Sequence, residues 1–246
     1  MQRLSINYLN GLKNNLPNSQ DARLRPAYPR RYFHTRLGAM YHGDSLHVMN
    51  TLLGPRSIDL IVTSPPYPLT AKKPYGNPSA TQYLDWFGPF GRAFRRVLKI
   101  GGSLVIDLGG VWIQGSPTKS LYQYEVLIAL CRDFGFHLAQ DFFWYNPAKV
   151  PTSKWVTQDR VRVKDAVNCV WWLSPSRRPK ADNRQVLIPY TSATKSVAAR
   201  AKRQIRPSGH RINPTFATRH RGAIPPNLLA FANTDSTSFY FRYCRE

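Results

Sequence analysis

The chain has 246 residues, 42% of them hydrophobic, with 35 Lys and Arg against 13 Asp and Glu, a net charge of +22. That apolar fraction excludes a disordered basic tail, and the length suits one ordinary domain with an appendage, or two small ones. A charge this far from zero implies a polyanionic partner, nucleic acid first.

No apolar run approaches the roughly 18 residues of a membrane span. The opening residues lack the apolar core of a secretory signal. Cys131, Cys169 and Cys244 stand apart and make neither a disulfide framework nor a metal knuckle, and the six histidines show no ligand spacing. The expectation is a cytoplasmic, nucleoid-associated protein with reduced thiols and no metal.

In chain order, residues 1–37 hold seven basic groups and one acidic, a basic N-terminal arm. Residues 38–173 are nearly balanced and read as an α/β domain. Met40–His42 is a short strand before Gly43. Ile58–Thr63 (IDLIVT) is a β-branched run, the pattern of a strand buried on both faces, and a proline pair stops it.

Tyr83, Phe87, Phe90, Phe94 and Val97 recur at helical spacing, with Arg95, Arg96 and Lys99 near the helix end and Gly101-Gly102 as its C-cap. Ser103–Leu108 is a second buried strand. Gly110 to Gly115, followed by Ser116, superficially resembles a phosphate loop, but Lys119 is too far from Gly115 for that role.

Leu121–Phe134 is a helix ending at Gly135. Phe136–Tyr145 and Ala166–Leu173 are aromatic strands, candidates for antiparallel edges. The alternation argues for a mainly parallel sheet with helices on both faces. Cys131 and Cys169 lie in apolar runs and read as core thiols. Residues 174–222 carry 12 basic groups and one acidic, are rich in Pro, Ser and Gly, and read as an irregular basic insertion. Residues 223–246 are neutral.

The most specific motif is Thr63-Ser64-Pro65-Pro66-Tyr67 at the end of a buried strand, where open α/β sheets bind ligands. Two prolines stiffen the backbone, the serine and a backbone carbonyl offer acceptors, and the tyrosine offers a stacking face. That suits an exocyclic amine on a planar base. A proline-rich turn with a packing tyrosine would read the same way. Asp44, in Gly43-Asp44-Ser45, suits a helix N-cap and also an acceptor for an adenine or ribose edge; the two roles can coexist.

These residues, with Gly101-Gly102-Ser103 and Asp107, Lys72–Asn77, Phe143–Pro147, Val163–Val167 and Ile224–Leu229, resemble the β-ordered amino-group DNA methyltransferases. Within these they are similar to the cytosine-N4 modification enzymes of type II restriction systems. The match runs over residues 38–235.

The resemblance implies a Rossmann-like methyltransferase sheet with a basic DNA-recognition insertion, and S-adenosylmethionine as cofactor. Residues 38–173 would be the catalytic half and 174–222 the target-recognition region, with 223–246 returning to the methyltransferase domain. Ser64 and the Pro65 carbonyl would hold the target amine. Pro66 would stiffen the turn, and Tyr67 would stack on the flipped base. Asp44, Ser45 and Ser64 would line the cofactor site. Lys72, Lys73, Trp144, Arg206, His210 and Arg211 would contact double-stranded DNA, though Trp144 also reads as a core residue.

A serine in the motif points to cytosine N4, an aspartate more often to adenine N6. The family's glycine-rich cofactor turn is expected shortly after residue 240, and residues 241–246 do not contain it. The sheet is therefore expected to be incomplete, the chain to be C-terminally truncated and weakly active or inactive alone. Half of a split enzyme with a second chain, or a non-catalytic DNA-binding remnant, are the other readings.

Overall fold

A computed structural model describes residues 29–69, 77–149, 153–192 and 220–231. The elements are β1 (Arg30–Thr35), β2 (Gly38–His42), α1 (Ser45–Leu52), β3 (Ile58–Thr63), α2 (Tyr83–Val97), β4 (Leu98–Leu108), α3 (Tyr122–Arg132), β5 (His137–Tyr145), β6 (Val167–Ser174) and β7 (Leu228–Ala230). One-turn helical pieces lie at Ala80–Gln82, Ser153–Gln158 and Asn183–Val186. Among the described helices none is long and apolar enough to cross a membrane.

The main sheet has the order β3-β4-β6-β5-β7. β3 and β4 are parallel, as are β5 and β7, while β6 runs antiparallel to both β4 and β5. The aromatic strands are therefore not antiparallel edges: among the described strands β6 alone is reversed, in the middle of the sheet, and β5 lies between it and β7. β3, β4 and β5 therefore run in the same direction, and their carboxyl ends lie on one rim.

The apolar alternation decides which face is covered. Leu104, Ile106 and Leu108 of β4 are fully buried, as are Leu173 and nearly so Trp171 of β6, and these pair across the ladder as Leu104–Leu173 and Ile106–Trp171. Against them pack Tyr83, Phe87, Phe94 and Val97 of α2 and Tyr122, Val126 and Leu130 of α3. The residues between them on β3, Leu60 and Val62, point the other way and are 55% and 70% exposed. The expected two-sided helical cover is thus one-sided among the described residues: α2 touches both α1 and α3, and the three make a single layer.

Two local expectations change. Gly101-Gly102 does not cap α2; the helix ends at Val97 and β4 begins at Leu98, so the pair lies inside the strand. A Cβ at Gly102 would come within 3.0 Å of the Asp59 and Lys99 carbonyls, so this glycine serves a close backbone approach to β3. Arg96 serves a different helix end from its own: its guanidinium donates to the carbonyls of Leu53 (3.1 Å) and Met49, the orphan acceptors closing α1. The last residues of the basic arm are also ordered: β1 pairs with β2 in an exposed antiparallel hairpin, with Phe33 opposite Met40. Cys131 and Cys169 are half-buried against the core, and burial raises both thiol pKa values.

Candidate active site

β3 delivers Ser64 to the carboxyl rim of the sheet. Beyond it the two prolines cannot donate to a ladder, so the strand ends and the chain turns. Ser64 is exposed, Pro65 and Pro66 are half-buried, and Pro68 is buried. The turn is closed by Leu69 N–H donating to the Tyr67 carbonyl (2.8 Å). The buried Asn77 donates its Nδ2 to the Leu69 carbonyl (2.8 Å).

Tyr67 is the centre of the arrangement. Its hydroxyl donates to Asp107 Oδ2 at 3.0 Å and lies 3.3 Å from Ser64 Oγ. Its ring rests on Gly109, where a Cβ would come within 2.7 Å of Cε2; no other residue type leaves room for the ring there. The Gly109 carbonyl in turn accepts from the buried Tyr122 hydroxyl. The strand end, the helix α3 and the Pro-Pro-Tyr turn are so locked together.

The proton inventory orients this relay. A tyrosine hydroxyl has one proton, and here it goes to Asp107. The Ser64–Tyr67 bond must then be donated by Ser64. Ser64 is left with lone pairs only for any third group, so it is an acceptor towards a ligand.

Burial pushes the Tyr67 pKa up to about 12; Ser64 opposes the shift, and the Asp107 charge and hydrogen bond add to it. Asp107 is raised above the ordinary carboxylate value, by burial first, while the Tyr67 hydroxyl, the Lys149 ammonium and Ser64 pull it back. Its Oδ1 is buried with no hydrogen-bond partner among the described residues. Lys149 is itself held by Asn168 Oδ1 at 3.0 Å.

Asp107 joins this arrangement through Tyr67, a part that the sequence pattern alone does not give it. The available signal was an ionisable residue in an otherwise apolar strand, SLVIDL, one position short of its carboxyl end.

Asp44 sits at the start of α1, where its Oδ1 accepts from His47 N–H at 2.9 Å, a regular N-cap. Ser45 is the first helical residue. Trp144 lies on β5 at the same rim, opposite Asn168 of β6 and Leu229 of β7. β6 separates it from β4, two strand spacings or roughly 10 Å. Its indole is engaged: Nε1–H donates to the Phe231 carbonyl at 2.9 Å, and the ring stacks on Phe231 with centroids 5.9 Å apart. Asn227 clasps the same strand, its Nδ2 donating to the Asp141 carbonyl (2.7 Å) and its carbonyl accepting from Phe143 N–H. Lys72, Lys73, Arg206, His210 and Arg211 lie outside the described residues. Among the described residues no three His, Cys, Asp or Glu side chains cluster as a metal site.

The chain is 42% identical over 226 residues to the type II methyltransferase M.PvuII of Proteus hauseri, covering 90% of this chain and 66% of that one. It is 28% identical over 165 residues to the type II methyltransferase M.ScaI of Streptomyces caespitosus, covering 64% of this chain and 51% of that one. It therefore spans between half and two thirds of the length of these relatives. The solved structure of the PvuII DNA methyltransferase (cytosine-N4-specific) superposes with a TM-score of 0.61 at 37% identity, over 83% of this chain and 60% of the other. Its α/β sheet is the Rossmann-like methyltransferase fold expected from the motifs. Residues 58–231, from the first residue of β3 to just past β7, match the N6 and N4 methyltransferase model described as DNA methylase, and the chain belongs to that DNA methylase family.

Proposed function

We propose that this chain carries the catalytic and target-recognition parts of a restriction–modification DNA methyltransferase, acting in the cytoplasm, that methylates the N4 amine of cytosine in duplex DNA. The observation that carries the reading is the Ser64–Tyr67–Asp107 relay. Its proton order makes Ser64 an acceptor, as an amine donor requires.

S-adenosylmethionine fits what the described residues offer in part. Asp44 uses only Oδ1 for its cap, leaving Oδ2 to accept from an adenosine edge. When bound, that cofactor supplies an electrophilic methyl group on a sulfonium. The residues of this chain do the rest. Ser64 Oγ and the Pro65 carbonyl accept the two amine hydrogens of the target cytosine. This draws the nitrogen away from ring conjugation and exposes its lone pair, chiefly a matter of positioning. Tyr67 stacks on the extruded base, repaying part of the few kcal/mol that flipping costs. Asp107 holds the Tyr67 hydroxyl and, through it, the rotamer of Ser64. A serine hydroxyl without an adjacent base is too weak to remove a proton, so Ser64 is not the base. Lys72, Lys73, Arg206, His210 and Arg211 supply DNA contacts, of which Arg206, His210 and Arg211 read sequence.

The test is nucleoside mass spectrometry of duplex DNA incubated with the chain and S-adenosylmethionine. The modified base expected, in the low yield of a weakly active chain, is N4-methylcytosine. N6-methyladenine would move the target to adenine. Salt-dependent duplex binding with no cofactor binding and no modified base would overturn catalysis and leave a DNA-binding remnant.

A further inference from the structure

The loop after β4 builds a cationic feature beside the site that the chemistry above does not use. Residues 111–120 fold back on themselves: Ile113 N–H donates to the Thr118 carbonyl (3.0 Å), Ser120 N–H to the Val111 carbonyl (2.9 Å), and Trp112 bridges Lys119. Arg162, from the segment leading into β6, lies over the Trp112 indole with Cζ 3.4 Å from the ring centroid, and its Nη1 donates to the Pro117 carbonyl. Lys119 Nζ is 5.3 Å from the same centroid and 3.0 Å from Asp165 Oδ1. A Cβ at Gly110 would lie 3.6 Å from Lys119 Nζ, and Gly110 follows Gly109, the residue on which Tyr67 rests. The lysine that failed the spacing of a phosphate loop is therefore brought by the fold to the residue next to the Tyr67 platform.

Two cations and one carboxylate converge here, so the cluster keeps a positive surplus. A guanidinium carries five N–H donors, and only the bond to Pro117 is made within the described residues. Stacking fixes the plane of the fork before any ligand arrives, which lowers the ordering cost of using its remaining donors. A planar fork with parallel donors matches the oxygens of a phosphodiester, and an adjacent ammonium adds a point charge.

We infer that Arg162, fixed by Trp112 and backed by Lys119, grips a DNA backbone phosphate next to the nucleotide whose base stacks on Tyr67. The inference rests on the DNA reading above. It gives the β4–α3 loop the task of holding the backbone while the base is out of the stack.

The test is duplex binding by the 246-residue chain as a function of salt, with thermal melts confirming that each variant is folded. Each neutralised phosphate contributes about 0.9 to the slope of log affinity against log salt. R162Q is expected to lower the slope by about one and to weaken binding at low salt. R162K keeps the charge and is expected to keep the slope while binding at least about threefold more weakly, because it loses the stacked fork. K99Q, at the far end of β4 and paired with Asp59 at 2.6 Å, is the control and should change neither. A chain that binds DNA with the same slope and affinity in R162Q as in the wild type overturns the phosphate grip and leaves the DNA reading standing. If R162Q does not fold, wild-type affinity in R162K overturns it. A wild-type chain that binds no duplex at any salt overturns the DNA reading, and the grip with it.

Discussion

Tyr67 and Asp107 stand forty positions apart and meet through one hydrogen bond, the Tyr67 hydroxyl donating to Asp107 Oδ2 at 3.0 Å. That bond sets the direction of the Ser64–Tyr67 hydrogen bond. It commits the Tyr67 proton, obliges Ser64 to donate to Tyr67, and frees the Ser64 lone pairs for a ligand amine.

Substitutions should separate the two jobs of Tyr67. S64A removes one acceptor and is expected to slow methyl transfer by roughly 100-fold, the scale of losing one preorganised polar group. Y67F keeps the stacking face but loses the relay, so Ser64 can turn its proton towards the amine; a loss smaller than that of S64A is expected. Y67A loses the ring, worth about 1–3 kcal/mol of base stacking, and should weaken binding of duplexes with an unpaired target base. Rates under saturating cofactor and binding by fluorescence anisotropy read the two effects. Equal losses in Y67F and Y67A would mean that stacking contributes nothing.

Asp107 should make the protein less stable as pH rises. Its folded pKa is raised, chiefly by burial. A raised carboxylate binds its proton more tightly in the folded state, so its contribution is fully present below the unfolded value near 3.9 and is lost as pH rises through the folded pKa. D107N keeps an acceptor for Tyr67 and removes the charge. It is expected to melt above the wild type at pH 7, with the gap closing towards about pH 3–4, and to methylate more slowly because an amide can present its donor to Tyr67 instead. A lower melting temperature for D107N at pH 7 would show that the ionised carboxylate is a net stabiliser.

Sequence pattern is enough to locate β3, α2, α3, β5 and β6, helped by clear stops such as the prolines after Thr63 and Gly135 at φ +70° after α3. The burial on both faces expected of β3 does not hold among the described residues, where Leu60 and Val62 are exposed. What it could not show is anything settled by partners distant in the chain. Gly101-Gly102 has the look of a helix stop, yet its cause is the approach of β3. β6 resembles an edge strand, yet its place is fixed by side chains of β4 and β5 on either side. Ser64, Pro65, Pro66 and Tyr67 can be read as a candidate site from their position after a β-branched strand that the proline pair ends. Asp107 was not assignable, because its partner Tyr67 comes from a different loop. Met40–His42 is legible as part of β2, but β1 and its pairing are not, because Tyr32 and Phe33 are diluted among arginines and a histidine.

The two readings of Asp44 can be told apart. The cap needs a side-chain oxygen; a cofactor contact through Oδ2 needs the carboxylate. D44A removes both and is expected to cost about 1 kcal/mol of stability. D44N keeps the cap, since asparagine caps as well as aspartate, and should melt like the wild type. A weaker affinity for S-adenosylmethionine in D44N, by calorimetric titration, is the expected outcome. Unchanged affinity would leave Asp44 as a cap alone.

Two glycines give a matched pair of packing tests. At Gly109 an added Cβ would meet the Tyr67 ring at 2.7 Å, and at Gly91 it would meet the Phe134 ring at 2.6 Å. The two overlaps are alike in size and differ in what must move. At Gly91, in the middle of α2, the displaced ring belongs to the packing between helices, and overpacking of this kind costs about 1–3 kcal/mol. At Gly109 the displaced ring carries the hydroxyl bonded to Asp107. A shift of about 1 Å in a positioning group can cost 100-fold in rate. G91A is therefore expected to lower the melting temperature while leaving the methylation rate per folded molecule within about twofold. G109A should lower that rate by about two orders of magnitude with a similar or smaller thermal cost. Equal rates in the two variants would show that the Tyr67 position tolerates movement, and that the relay it anchors does not set the chemistry.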